Sequence, residues 1–282
     1  MRLYKRIVEV IIGDDDNADS ISDLFIAFEI IKETSSKPAE GWIKIYNLNE
    51  STEARIFKRG KRIRFLAGYD GIANLVFDGD VRKVEKDKSG LNRVTVITLG
   101  GNVFKTTSAE FVKSYQGPVS AKQVVKDALP SFSLISGTLS TIPDNLILND
   151  FAWSGRTSDM LDRILRPSNI QWYEDNGVIN FSSNGGVPND AVFVLSEDSG
   201  MVGSPSFTDK GIKVVSLLNA LININSKIQP VSSVLQKPAS DDDTNARAQS
   251  KEGFYKVTKI VHRGDNRNGD FVSEIIAVPL DE

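Results

Sequence analysis

The sequence predicts a mainly β fold in which two similar β domains flank a small α+β domain. Three observations lead there. Residues 4–106 are short runs rich in Val, Ile, Phe and Tyr separated by turn residues. Residues 108–190 switch to helical spacing and then to one sharply signalled hairpin. From Ala191 the β pattern returns, and its closing hairpin resembles one in the first region. The expected domains are residues 1–107, 108–190 and 191–282, with a mobile loop near 236–251.

In the first region five or six strands are expected. Trp42-Ile43-Lys44-Ile45-Tyr46 and Arg62-Ile63-Arg64-Phe65 alternate, so each places one face on a core and one in solvent. Between them Asn49 is placed to cap a short helix over Glu50–Phe57, with Ala54 and Phe57 on a shared face. Strands over Leu75–Glu85 and Arg93–Leu99 flank the polar stretch Lys86–Gly90 and read as a hairpin.

The middle region changes period. Ser120 and Gln123 form a capping box, with Val119 stapled to Val124. Ala121, Val124, Val125, Ala128 and Leu129 then follow helical spacing up to Pro130. A second helix runs from Thr157 or Ser158 to Arg166, with Met160, Leu161, Ile164 and Leu165 inward and Asp159/Arg163 and Asp162/Arg166 paired outside. Asn176-Gly177, between Ile170–Glu174 and Val178–Phe181, is a strong two-residue hairpin signal.

The last region shows strands over Ala191–Leu195, Ile212–Leu217, Leu221–Val234, Gly253–His262 and Phe271–Val278, with a polar loop at Gln236–Lys251. Gly79–Val84 with Val94–Ile97 resembles Tyr255–Ile260 with Val272–Ile276. A duplicated β domain split by an insert is the economical reading.

Composition narrows the function. The formal net charge is −3, which removes the electrostatic reason to expect nucleic-acid or anionic-membrane binding as the main task. With no cysteine, disulfides and thiolate metal sites are excluded. The absence of cysteine also fits synthesis in a reducing cytoplasm, no signal peptide is expected at the N-terminus, and no 18-residue apolar stretch occurs.

No catalytic, cofactor-binding or metal residues are assigned, and no cofactor is expected. His262 is the only histidine and reads as a surface or turn residue closing its hairpin. The glycines of Leu99–Asn102 and Arg59–Arg62 satisfy neither a P-loop nor a dinucleotide fingerprint. Asp241, Asp243, Asn245 and Glu252 match calcium-loop positions, but Ala246 stands where the turn needs glycine, so a solvated acidic loop is expected. Arg263-Gly264-Asp265 and the Asn49-Glu50-Ser51 sequon are chance matches. The basic cluster Lys58–Arg62 with Arg64 reads as a solvated rim that discourages edge pairing. Trp153, Trp172 and Tyr173 would stack on sugar in a glycan hydrolase, but read as core.

An ordered set of short phrases carries a resemblance. Trp42 to Asn49, Gly60 to Ile63, Leu66-Ala67-Gly68-Tyr69-Asp70-Gly71 and Phe77-Asp78-Gly79-Asp80-Val81 follow one another. Trp153 to Thr157 leads to Trp172, and Ser199 to Pro205 leads through Thr208 to Ile212 and Leu217-Leu218-Asn219. In this order they resemble bacteriophage tail baseplate hub proteins of the late control protein D type, over nearly the whole chain. The resemblance implies two tube-type β-barrel domains flanking the α+β insert. It implies a homotrimer whose six tube domains adapt a hexameric tail tube protein to a trimeric central spike protein. Baseplate wedge and tape measure proteins would be further partners. DNA would pass through the lumen without specific binding, no membrane would be involved, and the protein would sit in the virion tail. Larger relatives carry fused spike or peptidoglycan-cleaving segments, whereas this chain stops at Glu282. The other readings are a peptidoglycan-degrading tail enzyme and a monomeric β-sandwich ligand-binding module.

Overall fold

The computed structural model describes residues 5–13, 18–34, 38–56, 61–183, 187, 191–208, 211–232 and 253–280. For Ile56, Val103 and Phe104 only the backbone is described. The first β unit contains β1 (Arg6–Ile12), β2 (Asp19–Ile21), β3 (Ile26–Glu33), β4 (Glu40–Tyr46), β5 (Arg62–Tyr69), β6 (Ile72–Ser89) and β7 (Asn92–Gly101). Helix α1 (Glu50–Ile56) lies between β4 and β5, and α2 (Val103–Ser108) follows β7. Strict alternation explains the strands: Ile26, Phe28 and Ile30 of β3 turn inward, as do Ile43 and Ile45 of β4.

The expected hairpin forms, but β6 runs on through Lys86–Ser89 and the turn falls at Gly90-Leu91. The polar residues remain in the ladder because their side chains stay exposed while the main chain pairs with β7, and main-chain pairing needs no apolar side chain. Asn49 caps α1, its side-chain oxygen accepting the Ser51 N–H at 2.8 Å. The expected inward face is corrected: Ala54 is exposed, Phe57 lies outside the described residues, and the buried side chain is Glu53. Glu53 accepts from Thr95 Oγ1 at 2.9 Å and pairs with Lys86 at 2.7 Å, so among the described side chains a charged one ties this helix to the sheet.

The insert comprises β8 (Glu110–Ser114), β9 (Pro118–Ser120), α3 (Ala121–Ala128), β10 (Ile135–Ser136), β11 (Ile147–Asn149), β12 (Ala152–Arg156), α4 (Thr157–Leu165), β13 (Ile170–Asp175) and β14 (Val178–Ser183). Ser120 caps α3 by accepting the Gln123 N–H at 3.2 Å. The reciprocal half of the capping box is replaced: the Gln123 amide donates to Asp127 at 2.7 Å. The predicted inner faces of both helices are buried and pack together. Both helices pass at their prolines into short 3₁₀ turns, Leu129–Phe132 and Arg166–Ser168, because a proline at the start of such a turn needs no N–H. Asp162 and Arg166 approach to 3.5 Å, whereas Arg163 lies over the Trp153 ring.

The second β unit contains β15 (Val192–Leu195), β16 (Ser206–Thr208), β17 (Gly211–Leu217), β18 (Lys227–Pro230), β19 (Tyr255–Asp265) and β20 (Phe271–Pro279). Of the long strand expected over Leu221–Val234, only β18 forms among the described residues. Before it, the chain turns on Asn219 and Asn223, and Asn225 takes a left-handed φ of 63°. The loop at 236–251 lies outside the described residues.

All strands of both β units join in one 13-stranded sheet, in which β19 pairs with β3 from Lys259↔Glu33 to Asp265↔Ala27. The hydrophobic clusters interlock accordingly. The first cluster takes Leu218, Ala220 and Phe271 from the second β unit, and the third takes Tyr173 from the insert. Phe28 meets Phe65 at 4.5 Å and Phe271 at 5.8 Å across the seam. Burying each such ring contributes roughly 1.5–3 kcal/mol.

The two β units repeat one ladder. Val81↔Leu99 then Lys83↔Thr98 skips Arg82, and Val257↔Ala277 then Lys259↔Ile276 skips Thr258, so a bulge falls at the same place in both hairpins. With these rungs aligned, Gly41↔Leu99 corresponds to Ile212↔Ala277 and Arg62↔Asp80 to Lys227↔Lys256. Ile30↔Gly41 likewise corresponds to Phe207↔Ile212. Thus β3, β4, β5, β6 and β7 match β16, β17, β18, β19 and β20.

Candidate functional site

The insert meets both β units at a seam formed by β3, β19 and the β13–β14 hairpin. Each piece has a local cause. Asn176 and Gly177 take φ of 52° and 80°, the left-handed pair of a tight hairpin turn. The bulge at Thr258 re-aims β19, and the Thr258 carbonyl accepts both the N–H and the hydroxyl of Thr34 at 2.8 Å. Alternation then leaves Lys32 pointing inward at the end of β3.

Lys32 is 1% exposed and donates to Asp175 at 2.6 Å and to Asn223 at 3.3 Å, so it touches the insert and the second β unit at once. Glu174 accepts from Gly177 N–H at 2.7 Å and from Asn102 Nδ2 at 2.9 Å. Burial pushes its carboxyl above the usual range against those hydrogen bonds. Asn176 accepts from Asp78 N–H at 3.1 Å, and Lys256 Nζ donates to Ser183 O at 3.0 Å, its ammonium pushed down by burial. Burial also raises the Tyr173 hydroxyl to about 12. The β13–β14 hairpin is therefore held by the first β unit at its tip and by the second at its open end.

His262 belongs to this seam, which corrects its reading as a surface or turn residue. It lies within β19 at 0% exposure, and its Nδ1 is 2.9 Å from Ser273 Oγ. Burial first, and the Lys32 charge second, hold its pKa down at about 3. A neutral ring with a hydroxyl neighbour and no carboxylate behind it lacks the orienting acid of a triad. Sequence reasoning missed the seam because nothing local marks Lys32 as buried. The one available signal was its place at an inward position of an alternating strand.

The other residues singled out from the sequence are dispersed. Arg62 makes a two-pronged pair with Asp78, at 2.9 and 2.7 Å, so this part of the basic cluster is an inter-strand tie rather than a solvated rim. Lys58–Gly60 and the acidic stretch 241–252 lie outside the described residues. Trp172 stacks on Phe132 and donates to Asp162 at 2.9 Å, Tyr173 is buried, and Trp153 sits under Arg163, so the three form no open platform for a sugar. Asp265 ends β19 by accepting N–H groups from Arg267, Asn268 and Gly269, which gives Arg263–Asp265 a turn-forming role.

Among the described residues no group of three His, Asp or Glu is placed to hold a metal ion. No described helix is long and apolar enough to cross a membrane. The arrangement can hold three parts in fixed relation.

No protein-family model and no curated protein sequence matches the chain. Solved structures do. The 43 kDa tail protein of prophage MuSo2 from Shewanella oneidensis superposes with a TM-score of 0.64 at 10% identity, covering 98% of each chain. A tail protein from Neisseria meningitidis MC58 gives 0.60 at 9% identity, over 98% of this chain and 97% of that one. The E. coli c3393 protein, described as a type VI secretion component structurally similar to T4 tail proteins gp27 and gp5, gives 0.55 at 13% identity over 90% and 73%. The mainly β architecture built around one large antiparallel sheet is therefore a fold that this chain shares, nearly end to end, with solved phage tail proteins.

Proposed function

We propose that this chain is a non-catalytic structural protein of a phage or phage-like tail, acting as the baseplate hub. In this reading residues 1–107 and 191–282 are two tube-type domains and residues 108–190 an inserted domain. A homotrimer presents six equivalent tube domains to a hexameric tail tube and a threefold platform to a central spike, leaving an axial channel for DNA. The chain is made in the host cytoplasm and ends in the virion, beside wedge and tape measure proteins.

The repeated ladder carries this reading. Two units with one bulge position and one register are laid side by side in a single sheet, so three chains supply six comparable surfaces. The end-to-end likeness to tail proteins supports it. The formal net charge of −3 suits a passage that DNA traverses without adhering.

Light scattering on the purified protein with its spike tests the proposal. Three copies per spike trimer are expected, and a stable monomeric one-to-one complex would overturn it.

A further inference from the structure

The two β units place a polar pair on the same rung. Counted from the bulge, Lys86 facing Thr95 in the first unit corresponds to His262 facing Ser273 in the second. The connectors that follow β4 and β17 also match. A buried Leu48 precedes Asn49, whose side chain accepts the N–H of Ser51, and a buried Leu218 precedes Asn219, whose side chain accepts the N–H of Leu221 at 3.0 Å. At the same spacing beyond each of these asparagines a polar side chain reaches the sheet. In the first connector it is Glu53, which takes the Thr95 hydroxyl and the Lys86 ammonium together. In the second it is Asn223, a neutral amide that accepts from Lys32 at 3.3 Å. The first rung has its acid, and the second has an amide in the acid's place.

We infer that His262 makes the joint between the two β units acid-sensitive: a proton on this ring parts β3 from β19, because Lys32 stands beside it and no carboxylate answers it. The ring is 0% exposed on the middle rung of the joint, opposite Ile30. Its Nδ1 is spent on Ser273, and its Nε2 has no hydrogen-bonding partner among the described residues. Every element around it fails to supply an acid. From β3 comes the Lys32 ammonium, from β20 the Ser273 hydroxyl, which accepts Asn219 N–H, and from the connector Asn223. The insert brings Asp175 and Glu174, but Asp175 is held by Lys32, and Glu174 by Asn102 and the Gly177 N–H. On β19 itself Lys259 pairs with Glu33 and Arg263 with Asp270. A protonated ring is thus buried against a like charge until water reaches it. With the joint closed the ring stays neutral down to about 3, and with it open the ring takes a proton below its ordinary 6.5. The ratio of open to closed joints therefore rises by up to about ten-fold for each pH unit in that interval. This sensitivity belongs to the single chain and does not rest on the hub reading.

Amide hydrogen exchange across a mildly acidic pH series tests it, each rate being divided by that of an unstructured amide at the same pH. The reporters are Thr34 and Asn266, whose N–H groups cross the joint to Thr258 O and Ile26 O at 2.8 and 3.2 Å. Below 6.5 their opening in the native chain should rise, relative to His262→Gln, by up to about ten-fold per pH unit. Asp175 and Glu174 are common to both chains and cancel. Amides of β7 around Thr95, where Glu53 answers Lys86, should open equally in the two chains. A rise of the same size there would show the whole chain opening at once and would overturn the joint as a separate device. Equal opening of both chains at Thr34 and Asn266 overturns the role of His262. A second measurement needs no change at the ring. His262 is the only histidine, so its ring gives one NMR signal, which should hold its neutral position through this series. In Asn223→Asp, which returns an acid to the place of Glu53, the signal should move toward its protonated position. A native ring that titrates near 6.5 overturns the proposal. A ring unmoved in Asn223→Asp overturns the missing acid as its cause.

Discussion

His262 shows how far one side chain's chemistry depends on what the chain folds over it. A lone histidine at a strand end, followed by Arg263-Gly264-Asp265, looks exposed in the sequence. In the structure β3 adds to its strand, and Asn219 N–H caps the neighbouring Ser273 hydroxyl at 3.0 Å. The ring is held neutral, with a pKa near 3 against an ordinary 6.5. The unfolded chain binds this proton below 6.5 and the folded chain only below about 3. The neutral ring's contribution is therefore intact above 6.5 and is lost as pH falls through that window. Urea unfolding of the native chain and His262→Gln across this range should differ in slope by up to about 1.4 kcal/mol per pH unit. Equal slopes would show that the ring is not held neutral. Glu174 has the opposite sign: its raised carboxyl adds stability at low pH and loses it as pH rises through the folded value, and it cancels in the comparison.

The elements that could be read in advance are those whose cause is local. The β13–β14 hairpin follows from Asn176-Gly177, α3 from Ser120 and its apolar spacing, and α4 from its inner face. Gly177→Ala places a Cβ at φ 80°, where an L side chain is strained. It should cost about 1–2 kcal/mol in a thermal melt, and an unchanged melt would mean that the turn relaxes to another type. Elements whose cause is distant were misread. Leu221–Val234 is rich enough in Ile, Val and Leu to pass for one strand, yet among its described residues only Lys227–Pro230 is one, because Asn219, Asn223 and the left-handed Asn225 turn the chain before it. The arm of β6 was read as a turn because polar residues mark turns only statistically. Its ladder to β7 is a tertiary fact.

Lys32 ties these elements into one object. Its ammonium, at 1% exposure, meets Asp175 from the insert and Asn223 from the second β unit. Lys32→Ala strands Asp175 without its cation and should destabilise the protein by about 3–5 kcal/mol. Tryptophan fluorescence in a urea titration reports it, since Trp153 and Trp172 lie in the insert and Trp42 in the first β unit. An unchanged midpoint would mean that the seam does not hold the parts together. By itself, the sequence determined the order of strand and helix periods and the likeness of the two hairpins, because period and turn chemistry act over a few residues. Only the tertiary structure decided that the two β units share one sheet and that a lysine and a histidine are buried where they join. Pairing between β3 and β19 joins residues more than two hundred positions apart, and strand edges choose partners by register and cover, which no local pattern records.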